Sequence, residues 1–231
     1  STRPYYSTSL YTATVKVEDL GVDDHTNVAA GATALTVGTA ATAQFQYQGD
    51  SDWFSFTAIP GHIYRMSATN SGSLSQWLDL WDGTTRLQSD YGSGGRTYTL
   101  LLDKAGPFHL STRPYNSGSI FSSTVKVEDL GADDHGQDTT GATALDLGGA
   151  ATSGAIQFPG DRDYFRFTVP TGANFAFQVI TTGIATSVAV LNSGGGTVAT
   201  TTGPGTYAFS VPGPGDYFVR VQASSGSATG S

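Results

Sequence analysis

The sequence predicts an all-β protein built from two tandem domains, each an antiparallel β-sandwich or small barrel. Three observations carry that expectation. The heptapeptide Val15-Lys16-Val17-Glu18-Asp19-Leu20-Gly21 returns unchanged at 125–131, an offset of 110 residues. Each copy is followed by a paired aspartate and a histidine, Asp23-Asp24-His25 and Asp133-Asp134-His135. A repeat of that length is large enough to bury its own core, so it marks duplicated domains rather than a solenoid of small units. Apolar residues come in short period-two runs punctuated by Gly, Pro and Asp, the pattern of half-buried strands joined by turns. No segment holds a helical period over three turns.

Taken in order, 11–17 (Tyr-Thr-Ala-Thr-Val-Lys-Val) alternates as a strand and runs into an acidic loop at 18–27. Short strands follow at 32–37 and 43–48. Gly49-Asp50-Ser51-Asp52 signals a turn, since Asp and Gly supply the side-chain caps and backbone freedom that turns require. The run 53–57 is strand-like, Pro60-Gly61 turns the chain, and 63–67 and 78–81 are strands, the latter closed by a hairpin at Asp82-Gly83. Strands at 96–102, 108–111 and 121–127 complete the unit. The second unit repeats the order at 142–147, 155–158, 164–169, 174–180, 187–191, 206–211 and 217–222, with turns at Gly194-Gly195-Gly196, Gly203-Pro204-Gly205 and 212–215. Seven to nine short strands per unit, evenly spaced by turn residues, suit a sandwich or a small barrel.

Composition removes several function classes. With Lys and Arg numbering 11 against 19 acidic residues, a formal charge of -8 and no basic run, nucleic acid is not an expected partner. No apolar stretch reaches membrane-spanning length, so no membrane insertion is expected. There is no cysteine, which excludes disulfides and thiolate chemistry. Serine sits in no nucleophile-elbow pattern, and nothing places a carboxyl in an apolar cleft that would fit it for acid catalysis. The expectation is that the chain is not an enzyme.

Of the 19 acidic residues, 9 fall in 18–24 and 128–138 and 4 in the two Gly-Asp-x-Asp motifs. Calcium takes six to eight oxygen ligands from carboxylates, amides, carbonyls and water. Glu18, Asp19, Asp23, Asp24 and Asn27 offer such a set, and Asp50 and Asp52, two apart on a strand, point the same way. The second unit offers Glu128, Asp129, Asp133, Asp134, Asp138 (or Gln137), Asp161 and Asp163. The bland reading is that these side chains cap turns and solvate a surface. Gathering that many carboxylates without a cation is costly, and this favours calcium as the cofactor. His25 and His135 suit zinc poorly, because each unit lacks the further His or Cys ligands that zinc wants; they read as surface or hydrogen-bonding residues. Trp53/Tyr164, Phe54/Phe165 and Phe56/Phe167 recur and read as core. Trp77, Trp81, Tyr91 and Tyr98 occur in the first unit alone, and Tyr5, Tyr6 and Tyr115 lie near Pro in loop-like sequence. An exposed Tyr or Trp can stack on a sugar ring or pack on a protein ligand.

The repeat resembles the bacterial pre-peptidase C-terminal domain family. The resemblance rests on Asp23-Asp24-His25-Thr26-Asn27, Ala32-Thr33-Ala34-Leu35 and Gly49-Asp50-Ser51-Asp52-Trp53-Phe54-Ser55-Phe56. Their counterparts are Asp133-Asp134-His135, Ala142-Thr143-Ala144-Leu145 and Gly160-Asp161-Arg162-Asp163-Tyr164-Phe165-Arg166-Phe167. The closing run Gly215-Asp216-Tyr217-Phe218-Val219-Arg220-Val221 is similar to the family's last hairpin. The resemblance implies tandem antiparallel β-sandwich domains, jelly-roll-like, with calcium in the acidic loop, non-catalytic and secreted or at the cell surface. Two roles follow from it. One is a calcium-binding structural or adhesion repeat of a larger secreted or surface protein. The other is a substrate-targeting module that binds collagen or polysaccharide for a secreted hydrolase; a shared strip of exposed Tyr or Trp would favour it.

The repeat also sets expectations for the domain edges. Residues 1–17 match the closing strand of a preceding repeat, 18–127 form the first sandwich, and 128–231 form the second, which stops before a counterpart of 121–127. An open edge of that kind attracts a strand from elsewhere. The spare strand 11–17 of one molecule is expected to fill it in another, giving head-to-tail self-association. Two alternatives stand beside this: a segment left over from the preceding domain, or complete domains at 1–110 and 111–231.

Overall fold

A computed structural model describes residues 14–170, 174–226 and 229. The first unit holds nine strands: β1 (Thr33–Ala34), β2 (Ala40–Phe45), β3 (Asp52–Ala58), β4 (His62–Thr69), β5 (Ser75–Asp82), β6 (Thr85–Ser93), β7 (Gly95–Leu102), β8 (Gly106–Pro114) and β9 (Phe121–Ala132). The second holds β10 (Thr143–Ala144), β11 (Arg162–Val169), β12 (Asn174–Val179), β13 (Thr186–Asn192), β14 (Thr197–Thr202), β15 (Gly205–Ser210) and β16 (Gly215–Ala223). Among the described residues there is no helix long and apolar enough to cross a membrane.

In the first unit one sheet has the order β1-β3-β8-β5-β6 and the other β2-β9-β4-β7. All pairs are antiparallel except the short β1–β3 contact. Strand alternation makes the core. Phe54, Phe56 and Ala58 of β3 and Leu78 and Leu80 of β5 face Tyr64, Met66 and Ala68 of β4 and Val125 and Val127 of β9, all buried in one cluster. Two sheets sharing one core make a sandwich. No strand is shared between the sheets among the described residues, so the architecture is a two-sheet, largely antiparallel sandwich. One glycine is dictated by this packing. Gly95 starts β7 at φ 115° with the backbone of β4 so near that a Cβ would lie 2.1 Å from Ala68 O.

The second unit repeats the first sheet strand for strand, β10-β11-β16-β13-β14, with the same parallel pair at its edge. Its other sheet is reduced to β12 and β15. Residues 151–156, which match β2 at an offset of 111, form only an isolated bridge at Ile156 instead of the strand expected at 155–158. Among the described residues nothing occupies the place that β9 holds in the first unit. The inner side chains of β12 are correspondingly less covered. Phe175, Phe177 and Val179 are only partly buried, whereas Tyr64, Met66 and Ala68 at the same places are buried to within 1%.

Three expectations are corrected. The strand expected at 121–127 runs on to Ala132, because Glu128 and Asp129 continue the ladder against Arg65 and Tyr64 of β4. The acidic stretch 128–138 therefore begins as strand, not loop. The hairpin partners β6 and β14, polar and glycine-poor in apolar alternation, were not foreseen; they pair with β5 and β13 through backbone bonds that polar side chains do not hinder. Finally, of the strand expected at 11–17, residues 11–13 lie outside the described residues. Thr14 to Val17 form no strand and are exposed, with no strand beside them among the described residues to accept their backbone groups.

Candidate metal centre

Strand alternation sends Asp52, at the start of β3, to the same inner face as Phe54 and Phe56, and it is 0% exposed. Asp23 and Asp24 reach it from the preceding loop. One carboxylate oxygen from each of Asp23, Asp24 and Asp52 lies within 4.8 Å of the others. Asp50 is buried beside them and feels the charge of Asp23 and Asp24.

The loop is fixed by His25. Its Nε2–H donates to Thr42 O at 2.8 Å, which leaves Nδ1 to accept from the Thr33 hydroxyl at 2.7 Å. The ring packs on Phe54 with centroids 4.4 Å apart. Asn27 ties the loop to the next turn: its Oδ1 accepts from Ser51 N–H at 2.8 Å and its Nδ2 donates to Asp23 Oδ2 at 2.9 Å. Asn27 also donates to the Tyr47 hydroxyl, which in turn donates to Asp23 Oδ2. Asp24 Oδ2 accepts from Gln44 N–H at 3.1 Å and Asp50 Oδ2 from Gln46 N–H at 2.6 Å.

Each bonded carboxylate thus keeps its second oxygen free. Asp23 Oδ1, Asp24 Oδ1, Asp50 Oδ1 and both oxygens of Asp52 are buried without any hydrogen-bond partner. Such groups are costly unless a cation satisfies them. Burial first, then the charges of Asp24, Asp50 and Asp23, push the Asp52 carboxyl up to about 8. Burial likewise raises Asp50. A fully oxygen donor set, with both His25 nitrogens already engaged, suits a hard cation and not zinc.

The second unit rebuilds the arrangement. Asp133, Asp134 and Asp163 converge within the same 4.8 Å, and Asp163 is pushed up to about 8, by burial first and then by Asp161, Asp134 and Asp133. His135 bonds Thr143 and Ser153 O and packs on Phe165. Gln137 takes the part of Asn27, donating to Asp133 at 2.8 Å and accepting from Arg162 N–H at 3.1 Å. Gly154 closes the wall: a Cβ there would stand 2.7 Å from the His135 ring and 3.0 Å from Asp163 Oδ2.

The remaining candidates lie elsewhere. Glu18 pairs with Lys16, and Asp19 accepts from Gly21 N–H. Glu128 pairs with Lys126 and Arg65, and Asp129 with His62 and Tyr64, on the face of β9 and β4. Asp138 accepts from the backbone of Thr140 and Gly141, a turn cap. Asp161 spends both oxygens, on Gln137 and on Gln157 N–H. The sequence reading missed Tyr47. Its counterpart Phe158 carries no hydroxyl, so the repeat gave no signal for it. Gln137 was legible as the residue at Asn27 plus 110.

Residues 161–223 match the sequence model of the bacterial pre-peptidase C-terminal domain. That stretch lies in the second unit, and the first unit has the same motifs and the same five-strand sheet order. One solved structure, the pre-peptidase C-terminal domain of collagenase from Bacillus anthracis, aligns at 15% identity over 42% of this chain and 94% of its own, with a TM-score of 0.34. No curated protein matches the chain. Pre-peptidase C-terminal domains are non-catalytic, which is consistent with the absence of a catalytic role here.

Proposed function

We propose that this tandem is a calcium-stabilised, substrate-targeting module of a larger secreted protein, holding an extracellular polymer, collagen or polysaccharide, on the outer sheet face of its first unit. The observation that carries the reading is an aromatic row on that face. Trp77 and Tyr91 lie 4.6 Å apart and Tyr91 and Tyr115 stack at 4.7 Å, with Tyr91 and Tyr115 44% and 49% exposed. Arg113 covers Trp77 at 5.1 Å and is held by Asp79, which is fully buried on the same face. Trp53 and Trp81 extend the row at 5.4 Å, with Arg86 over Trp81. Exposed aromatics fixed by cations and cross-strand neighbours present flat apolar faces at little entropic cost, the form that suits sugar rings and peptide chains.

The duplicated carboxylates support calcium as the cation, because they supply only oxygens and because calcium tolerates irregular geometry better than magnesium. They serve equally a purely structural or adhesion repeat, and the second unit, where Ser187 and Ala189 replace Trp77 and Asp79, fits that plainer role. The domain division that accompanies this reading is 18–127 and 128–231, with the pairing of β9 to β4 carrying the first unit on to Ala132.

Co-sedimentation of the chain with insoluble collagen, chitin and cellulose tests the proposal. Truncating an aromatic anchor costs about 2 kcal/mol or more, roughly thirtyfold in affinity. Tyr91→Ala with Tyr115→Ala should therefore release the chain from the polymer it holds while leaving thermal unfolding in place. Equal retention of parent and variant on every polymer would sink the reading.

A further inference from the structure

The second unit carries an open cleft of about 270 Å³ where its second sheet is incomplete. Ala151, Thr152 and Gly154 stand on one side, and Phe177, Val179 and Ile180 on the other. Its floor includes Phe165, Val219 and Val221 of the core. In the first unit the residues matching the two walls are β2 and β4, and the strand between them is β9, whose Val125 pairs with Ala41 and Ala68 and whose Val127 pairs with Met66. The cleft is therefore a strand-shaped slot: among the described residues β12 is hydrogen-bonded to β15 on one edge only, and apolar side chains line what should be an inner face.

The chain also holds the matching strand. Residues 14–21 are identical to 124–131, the central part of β9. Among the described residues they are uncovered: Val15 is 71%, Val17 91% and Leu20 64% exposed, in a stretch with no strand pairing. We infer that residues 14–21 of one molecule enter the slot of the second unit of another and complete its sheet as β9 completes the first. The inward positions would be Val15 and Val17, as Val125 and Val127 are, and the backbone would bond to β12 and to 151–155 by strand addition. Such a contact joins two different surfaces, so it propagates head to tail unless the rotation between copies closes a ring.

Two variants separate the ends of the contact without touching either core. Val15→Asp with Val17→Asp spoils the donor at exposed positions; Ile180→Arg, at a side chain 75% exposed beside the slot, spoils the acceptor. In sedimentation velocity the parent chain should form a concentration-dependent ladder of species, and either variant alone should lose it. A mixture of the two retains one good donor and one good slot, and it should stop at a dimer. A parent that stays monomeric at all concentrations overturns the proposal, as does association that survives both variants. A monomer whose second unfolding transition falls with Val15→Asp and Val17→Asp would place the strand in its own molecule, and this too overturns donation between copies.

Discussion

Val125→Asp should unfold the first unit, whereas the same change at Val15, in an identical run of eight residues, should leave the unfolding of the dilute chain unmoved. Val125 is fully buried between β2 and β4, and Val127 beside it is equally buried. A carboxylate placed there has no partner and removes apolar contacts, a combination expected to cost more than about 4 kcal/mol. Against a total stability of roughly 5–15 kcal/mol for a domain, that change removes most or all of it. Val15 is 71% exposed, and exposed substitutions fall within about 0.5 kcal/mol. Thermal unfolding followed by circular dichroism would resolve the pair. If Val125→Asp left two transitions at their parent temperatures, the placement of β9 inside the first sandwich would be wrong.

Removing calcium should lower both unfolding transitions by roughly 10–20 °C. Ligand at a hundred times its dissociation constant stabilises the folded state by about 2.7 kcal/mol, and about 1 kcal/mol moves the midpoint of a domain this size by roughly 4–8 °C. The sharper form of the prediction is a crossing. Asp52→Asn keeps the shape of the side chain but removes a carboxyl that, without a cation, must either take up a proton or be buried as a charge among Asp23, Asp24 and Asp50. In chelator it should therefore be more stable than the parent in the first unit; in calcium it should be less stable. Asp163→Asn should do the same to the second unit alone. A variant that lost stability equally with and without calcium would mean that Asp52 serves the fold and not the cation.

The pH dependence carries the same sign. Without metal, Asp52 and Asp163 hold their protons to about 8 when folded, against 3.8 for the free side chain. Between those values the folded chain binds more protons than the unfolded one, so stability falls as pH rises through the window and the contribution is gone above about 8. Calcium and protons compete for the same oxygens. Stabilisation by calcium should accordingly grow across the window in which the chelated protein weakens. Calorimetry at several pH values, with and without chelator, would test it; a chelated midpoint that rose from pH 5 to 8 would count against the buried carboxylates as its cause.

The sandwich was legible because strand alternation and turn residues are local, and the duplication marked which apolar positions recur. Phe54, Phe56 and their counterparts were readable as core from that alone. The carboxylate site was only half legible. Asp23, Asp24 and Asp52 come together because β3 buries Asp52 beneath the preceding loop, a consequence of register that sequence distance conceals. Glu18, Asp19, Glu128 and Asp129 belong to the same acidic run yet fall outside it, since the run continues a strand in one copy and lies unpaired in the other. The aromatic row was invisible for a different reason. Trp77, Tyr91 and Tyr115 come from three stretches of chain, and only the pairing of β5 with β6 and β8 lays them side by side.

Strand β9 ends at Ala132, Asp133 N–H donates to Gly61 O of the first unit at 3.0 Å, and the carboxyls of Asp133 and Asp134 already belong to the second cluster. There is no slack between the two. A pull along the chain cannot be absorbed by an unstructured tether; it passes from a long central strand, which must be sheared from two neighbours at once, straight into the loop that carries the second carboxylate cluster. On the proposed calcium reading, the junction would behave as a rivet whose strength follows the calcium of its surroundings.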